Sequence, residues 1–252
     1  GQSINGARIW IRIGPMSFQP AELSKVLLAV FFASYLVANR DNLALAGRKV
    51  LWMSLPRARH LGPLFIVWGV SICVLVLQKD LGSSVLLFGL FVVVLYVATD
   101  RSSWLLIGAA LFLPAAWFAA THLNHVQQRI NGWLHATDNA VYNAAGGSWQ
   151  LLTGMFGMST GGLMGAGWGK GSPTLVTFAN SDFIFASLGE ELGLTGTLVL
   201  LVLYLVLIQR GLRTAVSLRD GFGKLLAVGL SFAIALQIFV VIGGVTRLIP
   251  LT

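Results

Sequence analysis

An all-α, polytopic membrane fold is what this chain predicts, and three observations predict it. The first is composition: of 252 residues, 56% are hydrophobic and only 10% charged, with a mean hydropathy of +0.80, whereas a soluble domain is about one quarter charged. The second is the recurrence of apolar runs close to the roughly 20 residues a helix needs to cross the hydrocarbon core. The third is that the polar stretches between those runs alternate in charge, basic residues gathering in every second one.

Taken in order, the spans fall at roughly 19–37, 62–79, 83–99, 104–121, 183–209 and 222–245. The connections between spans one and two, three and four, and five and six must share a side. They carry Arg40, Arg48, Lys49, Arg57, Arg59, Arg101, Arg210, Arg213, Arg219 and Lys224, ten of the seventeen basic residues. The positive-inside rule makes those connections cytoplasmic and turns both ends of the chain and a large extracytoplasmic loop, 122–182, outward. The net charge of +8 is then mostly topology, with some contact to anionic membrane lipid, and carries no nucleic-acid signal. Cys73 is the only cysteine, so neither a disulfide framework nor a cysteine metal site is available. The chain opens on "GQSINGARIWIRIGP" without a Met and stops at "RLIPLT" just after a span; it reads as one integral membrane domain cut from a longer protein.

Charges within or beside these spans are the candidates for function, because intramembrane charges normally face protein or water. In "FQPAELSKVLLAVFFASYLV", Pro20 suits a first helical turn, and Glu22 and Lys25 lie three residues apart on one face. They form either a snorkelling interfacial pair or the charged lining of an outward cavity. In "LVLQKDLGSS", Lys79 and Asp80 sit at an outer corner, as a solvated turn or as a polar break that lines a site. The outer segment holds Arg129, Trp133, Trp149 and Gln150, an apolar piece, "QLLTGMFGM", able to re-enter the membrane, and six glycines between 161 and 171. That glycine run lacks the phosphate-loop spacing and supplies flexible turns.

Asp182 precedes the long fifth span in "NSDFIFASLGEELG", where a carboxylate either caps a helix N-terminus or does chemistry. Glu190 and Glu191 lie about 12–13 Å deeper along that helix, and Gly189-x-x-x-Gly193 admits another helix closely. A structural glutamate pair at a tight crossing accounts for them. Arg247 emerges on the outer side after the last span, as do Arg8, Arg12, Lys25, Lys79 and Arg129 on this topology. Several cations around an accessible carboxylate suit an anionic lipid head group and a reaction needing a base.

The segments "NGARIWIRIGPMSFQPAELSK", "QKDLGSS", "QQRINGWL", "SWQLLTGMFGMSTGGLMGAGWGKGSP", "SDFIFASLGEELGLTG" and "GGVTRLIPLT" together resemble the SEDS family of bacterial shape and division proteins, RodA and FtsW, end to end. The "KDLGSS" and "GGVTRLIPLT" variants resemble actinobacterial RodA-type members. The resemblance implies a peptidoglycan glycosyltransferase with ten transmembrane helices in the bacterial cytoplasmic membrane, of which this chain holds the fourth to the ninth. It implies that Asp182 is the catalytic aspartate and Lys25 its partner; Arg8, Arg12, Arg129, Glu22, Asp80 and Gln150, read from the residues themselves, are the further candidates around the substrate. That substrate is lipid II, a disaccharide-pentapeptide on undecaprenyl pyrophosphate, and the partner is a class B penicillin-binding protein, a transpeptidase. No cofactor is implied with certainty, and a divalent cation, Mg or Mn, is compatible with the pyrophosphate. Ile9, Ala21, Lys79 and Trp149 depart from the commoner family pattern and leave substrate contacts at those places open. Two other functions fit an apolar chain with membrane charges, a lipid II flippase and a non-catalytic scaffold for the transpeptidase. Flipping requires a polar path through to the cytoplasmic side, and here the polar residues cluster toward the outer half.

Overall fold

In a computed structural model of the protein, the described residues are 11–13, 16–39, 47–50, 53–56, 62, 65–70, 73, 81–144 and 146–251. The long apolar runs are helices: α1 (Pro20–Ala38), α2 (Leu81–Thr99), α3 (Ser103–His122), α7 (Ile184–Ser217) and α8 (Gly221–Val245). Residues 65–70 are helical, and the rest of the 62–79 run lies largely outside the described residues. Among the described residues four helices, all but α1 of those just named, are long and apolar enough to cross a membrane. The protein is a polytopic helical membrane protein.

The segment between α3 and α7 is not a structureless loop. It holds α4 (Asn124–Leu134), the single turn α5 (Asn139–Tyr142), α6 (Trp149–Gly161) and a 3-10 turn at Pro173–Leu175. Two antiparallel hairpins, absent from the sequence expectation, flank α1: β1 (Ile11–Ile13) with β2 (Met16–Phe18), and β3 (Gly47–Val50) with β4 (Met53–Pro56). Short strands in polar connections carry no apolar face long enough to show as a period of two.

The chain divides into two compact units, Gly1–Leu113 with Ile208–Leu236, and Pro114–Leu207 with Gln237–Thr252. In the first, α1 and α2 supply the core through Ala29, Phe32, Ala33 and Leu36 against Leu87, Leu90, Phe91, Val94 and Leu95. Both sets follow the three-and-four spacing that keeps residues on one helical face. Phe32 and Phe91 meet edge to face at 5.4 Å, and Trp68 stacks on Phe91 at 5.0 Å. Close approach is set by small residues, as membrane helices require: a side chain at Gly229 would meet Val94 and Leu90, and one at Gly211 would collide with Ser231.

The second unit has two small cores. Val176, Phe183, Phe185, Ala186 and Val245 form one, and Ala136, Leu151 and Leu152 the other. Phe183 is the anchor of the first; it is 2% exposed and lies so close to α6 that a Cβ on Gly154 would stand 2.8 Å from its ring. Asp182, Glu190 and Glu191 all belong to this unit.

Candidate functional site

Asp182 is exposed on the turn that leads into α7, directly beside the buried Phe183. The turn closes on itself: the Phe183 N–H donates to the Phe178 carbonyl at 3.1 Å and the Ile184 N–H to the Ser181 carbonyl at 3.2 Å. Phe178 holds a φ of 60°, an uncommon conformation for a bulky residue and one found where surrounding structure over-determines the backbone. Ring burial at Phe183 therefore fixes where the aspartate is presented.

Eleven residues beyond Asp182, α7 breaks. Gly193 adopts φ 67°, ψ −171°, a conformation essentially reserved for glycine. The break frees backbone groups on both sides, and the glycine-rich stretch after α6 satisfies them. The Ala166 and Gly167 N–H groups donate to the Glu190 and Glu191 carbonyls at 2.9 and 3.0 Å, while the Leu194 and Thr195 N–H groups donate to the Gly162 and Leu163 carbonyls at 2.9 and 3.1 Å. Irregular backbone within an apolar helix persists only where such partners replace the lost ladder. Gly162, Gly165 and Gly167 reach their places through positive φ, and a side chain on Gly165 would strike the Glu191 carbonyl.

The two glutamates just before the break have different surroundings. Glu190 is buried, and its Oε1 accepts the Ser172 N–H at 2.9 Å. Gly189 beside it admits Met158 of α6, so the close crossing expected at Gly189 is present, whereas Gly193 serves a helix break rather than a crossing. Glu191 is half-buried and its carboxylate has no hydrogen-bond or ion-pair partner among the described residues. It lines a groove of about 410 Å³ with apolar walls from Val176, Phe178, Ile184 and Leu188 and polar groups from Asn180 and Ser187. None of the described lining residues is basic. Asp182 stands on the same turn, between Asn180 and Ile184 in the chain.

Gln150 ties the start of α6 to this turn region, its Nε2 donating to the Thr177 carbonyl at 3.0 Å. Arg129 on α4 donates through Nη1 to the Leu251 carbonyl at 3.0 Å. Arg247, whose φ is 61°, closes the end of α4 by donating from Nε to the Trp133 carbonyl at 2.9 Å and from Nη2 to the Leu134 carbonyl at 3.1 Å. The Trp133 indole N–H returns a bond to the Arg247 carbonyl at 3.0 Å. A guanidinium on the last carbonyls of a helix satisfies free acceptors and meets the negative end of its dipole. Nothing in the spacing of Trp133 and Arg247 announced this reciprocal pair.

In the first unit, Lys25 is buried on the opening turns of α1, and its Nζ lies 2.6 Å from Glu22 Oε2. Arg12 lies on β1, while Arg8 and Asp80 fall outside the described residues. No group of three or more His, Cys, Asp or Glu side chains comes together as a metal site among the described residues.

Comparison with known proteins gives this geometry a context. A family model described as cell cycle protein, covering FtsW, RodA and SpoVE, matches residues 1–252. The chain is 49% identical over 248 residues to the peptidoglycan glycosyltransferase RodA of Mycobacterium tuberculosis, covering 98% of this chain and 52% of that protein. It is 33% identical over 260 residues to the peptidoglycan glycosyltransferase MrdB of Escherichia coli K12, covering 99% of this chain and 64% of that protein. A solved structure described as the coordination of polymerization and crosslinking by a peptidoglycan synthase complex superposes with a TM-score of 0.70 at 26% identity, over 100% of this chain and 66% of that one. The chain thus spans about half the length of the mycobacterial relative it matches.

Proposed function

This chain belongs to the FtsW, RodA and SpoVE family of cell cycle proteins, and from that premise we propose that it carries the active carboxylate of a peptidoglycan glycan-strand polymerase. The substrate is lipid II, and the reaction takes place at the outer face of the bacterial cytoplasmic membrane. The observation that carries the reading is Asp182: an exposed carboxylate on the turn into α7, next in the chain to the buried Phe183 and two residues from Asn180 and Ile184, which line a groove.

In this mechanism Asp182 removes the proton from the acceptor sugar's 4-hydroxyl. The oxygen attacks the donor's anomeric carbon and inverts it, the bond from that carbon to the pyrophosphate oxygen breaks, and undecaprenyl pyrophosphate leaves. General-base assistance of this kind contributes about 10²–10⁴-fold. Lys25, Arg8, Arg12 and Arg129 are the cations that offset charge growing on the leaving pyrophosphate; Glu22 orients Lys25 through their ion pair. Asp80 and Gln150 complete the substrate surroundings. A divalent cation, Mg or Mn, would arrive with the pyrophosphate. The partner is a class B penicillin-binding protein, which crosslinks the strands this protein makes, and the apolar helix faces receive membrane lipid and the polyprenyl chains.

The test is reconstitution of the full-length protein with its transpeptidase in liposomes carrying labelled lipid II. Glycan strands resistant to transpeptidase inhibition support the polymerase. Transfer of label between leaflets without strands points instead to a flippase, and strands that require only a separate polymerase point to a scaffold.

A further inference from the structure

We propose that the groove beside Asp182 is a subsite for an uncharged pyranose of the glycan, its hydroxyls donating to the Glu191 carboxylate and its apolar face packing on Ile184 and Leu188. This rests on the polymerase reading and deepens it by saying which part of the substrate meets this side of the aspartate. At about 410 Å³ the groove falls within the size range of small-ligand sites. Its lining suits a sugar, which offers C–H faces and hydroxyl edges together. An ionised carboxylate is acceptor-only with about four lone-pair positions, the complement of adjacent hydroxyl donors.

Charge excludes the other end of the substrate. With Glu191 in the lining and no lysine or arginine among the described residues that line the groove, a pyrophosphate here would meet a like charge without a counter-charge from those walls, which is costly near the membrane. Glu191 is also held in place without being used up. Its carbonyl accepts the Gly167 N–H at 3.0 Å, its stem runs against Gly171, and its carboxylate takes no hydrogen bond among the described residues, unlike that of Glu190, which takes the Ser172 N–H. Such preorganisation is what a positioning group needs.

The experiment uses the full-length protein with its transpeptidase in nanodiscs, with two probes: a phosphate-free N-acetylglucosamine disaccharide and inorganic pyrophosphate, each followed by saturation-transfer NMR. Glu191→Gln keeps the side-chain shape and is expected to weaken saccharide binding about tenfold, the size of a lost charge-assisted hydrogen bond, with pyrophosphate binding unchanged. Leu188→Trp, which fills the groove, is expected to abolish the saccharide signal. In polymerisation Glu191→Gln raises KM for lipid II about tenfold and leaves kcat within about threefold, the signature of lost uniform binding. Unchanged saccharide affinity in both variants, or pyrophosphate binding gained in Glu191→Gln, overturns the assignment. Wild-type protein that binds saccharide in this pattern but makes no polymer sinks the polymerase reading and leaves the subsite standing.

Discussion

Replacing Gly193 by alanine tests whether the break in α7 is built into the fold. Its φ of 67° and ψ of −171° place a non-glycine residue at a cost of about 1–3 kcal/mol. The added Cβ also strikes the Gly165 nitrogen and the Leu163 carbonyl oxygen. Moving that stretch away loosens the Leu194-to-Gly162 and Thr195-to-Leu163 bonds, at roughly 0.5–1.5 kcal/mol each. The sum is about 2–6 kcal/mol, large against the stability of a folded domain. Thermal unfolding of the full-length purified protein, followed by loss of monodispersity in detergent, is the assay, and a fall in Tm of several degrees is expected. If the alanine variant is as stable as wild type or more so, α7 prefers to run straight, and the 162–167 stretch does not hold the break open.

Arg247→Ala removes both guanidinium bonds to the end of α4 and should destabilise by about 1–3 kcal/mol; Arg247→Lys should not rescue it, because one ammonium does not reproduce the fork, and thermal unfolding of both variants checks this. Phe183→Ala empties a site that is 2% exposed and should cost about 3–5 kcal/mol. Because the same ring fixes the Asp182 turn, residual polymerisation at a temperature where this variant stays folded should also fall, and unimpaired activity there would show that the turn holds itself. Glu190→Ala strands the Ser172 N–H at about 1–3 kcal/mol, whereas Glu190→Gln keeps an acceptor and should be milder by the same unfolding measurement.

The fold class was legible because membrane helices announce themselves by length and hydropathy, and Pro20 marks the start of α1 plainly. The hidden features depend on partners distant in the chain. Gly189 and Gly193 look alike in "GEELG", yet one admits Met158 and the other breaks the helix, a difference decided by the 162–167 stretch. Glu190 and Glu191 likewise differ only by about 100° of helical rotation, which turns one toward Ser172 and the other toward the groove. Arg247 was legible as a cation beyond the last span, and its use as a cap on α4 was not, because the carbonyls it bonds lie 114 and 113 residues away. Asp182 is legible in the sequence because a carboxylate just ahead of a long apolar helix has few reasons to be there.

The proposed role of Asp182 as the base of a glycan polymerase is tested most directly by the rate of strand formation from lipid II by full-length Asp182→Asn with its transpeptidase. The amide keeps the size of the side chain and removes its basicity. A fall in kcat of about 10²–10⁴-fold, with lipid II affinity and complex formation retained, is the predicted result. Strand formation at the wild-type rate would contradict it and return Asp182 to a structural role at the start of α7.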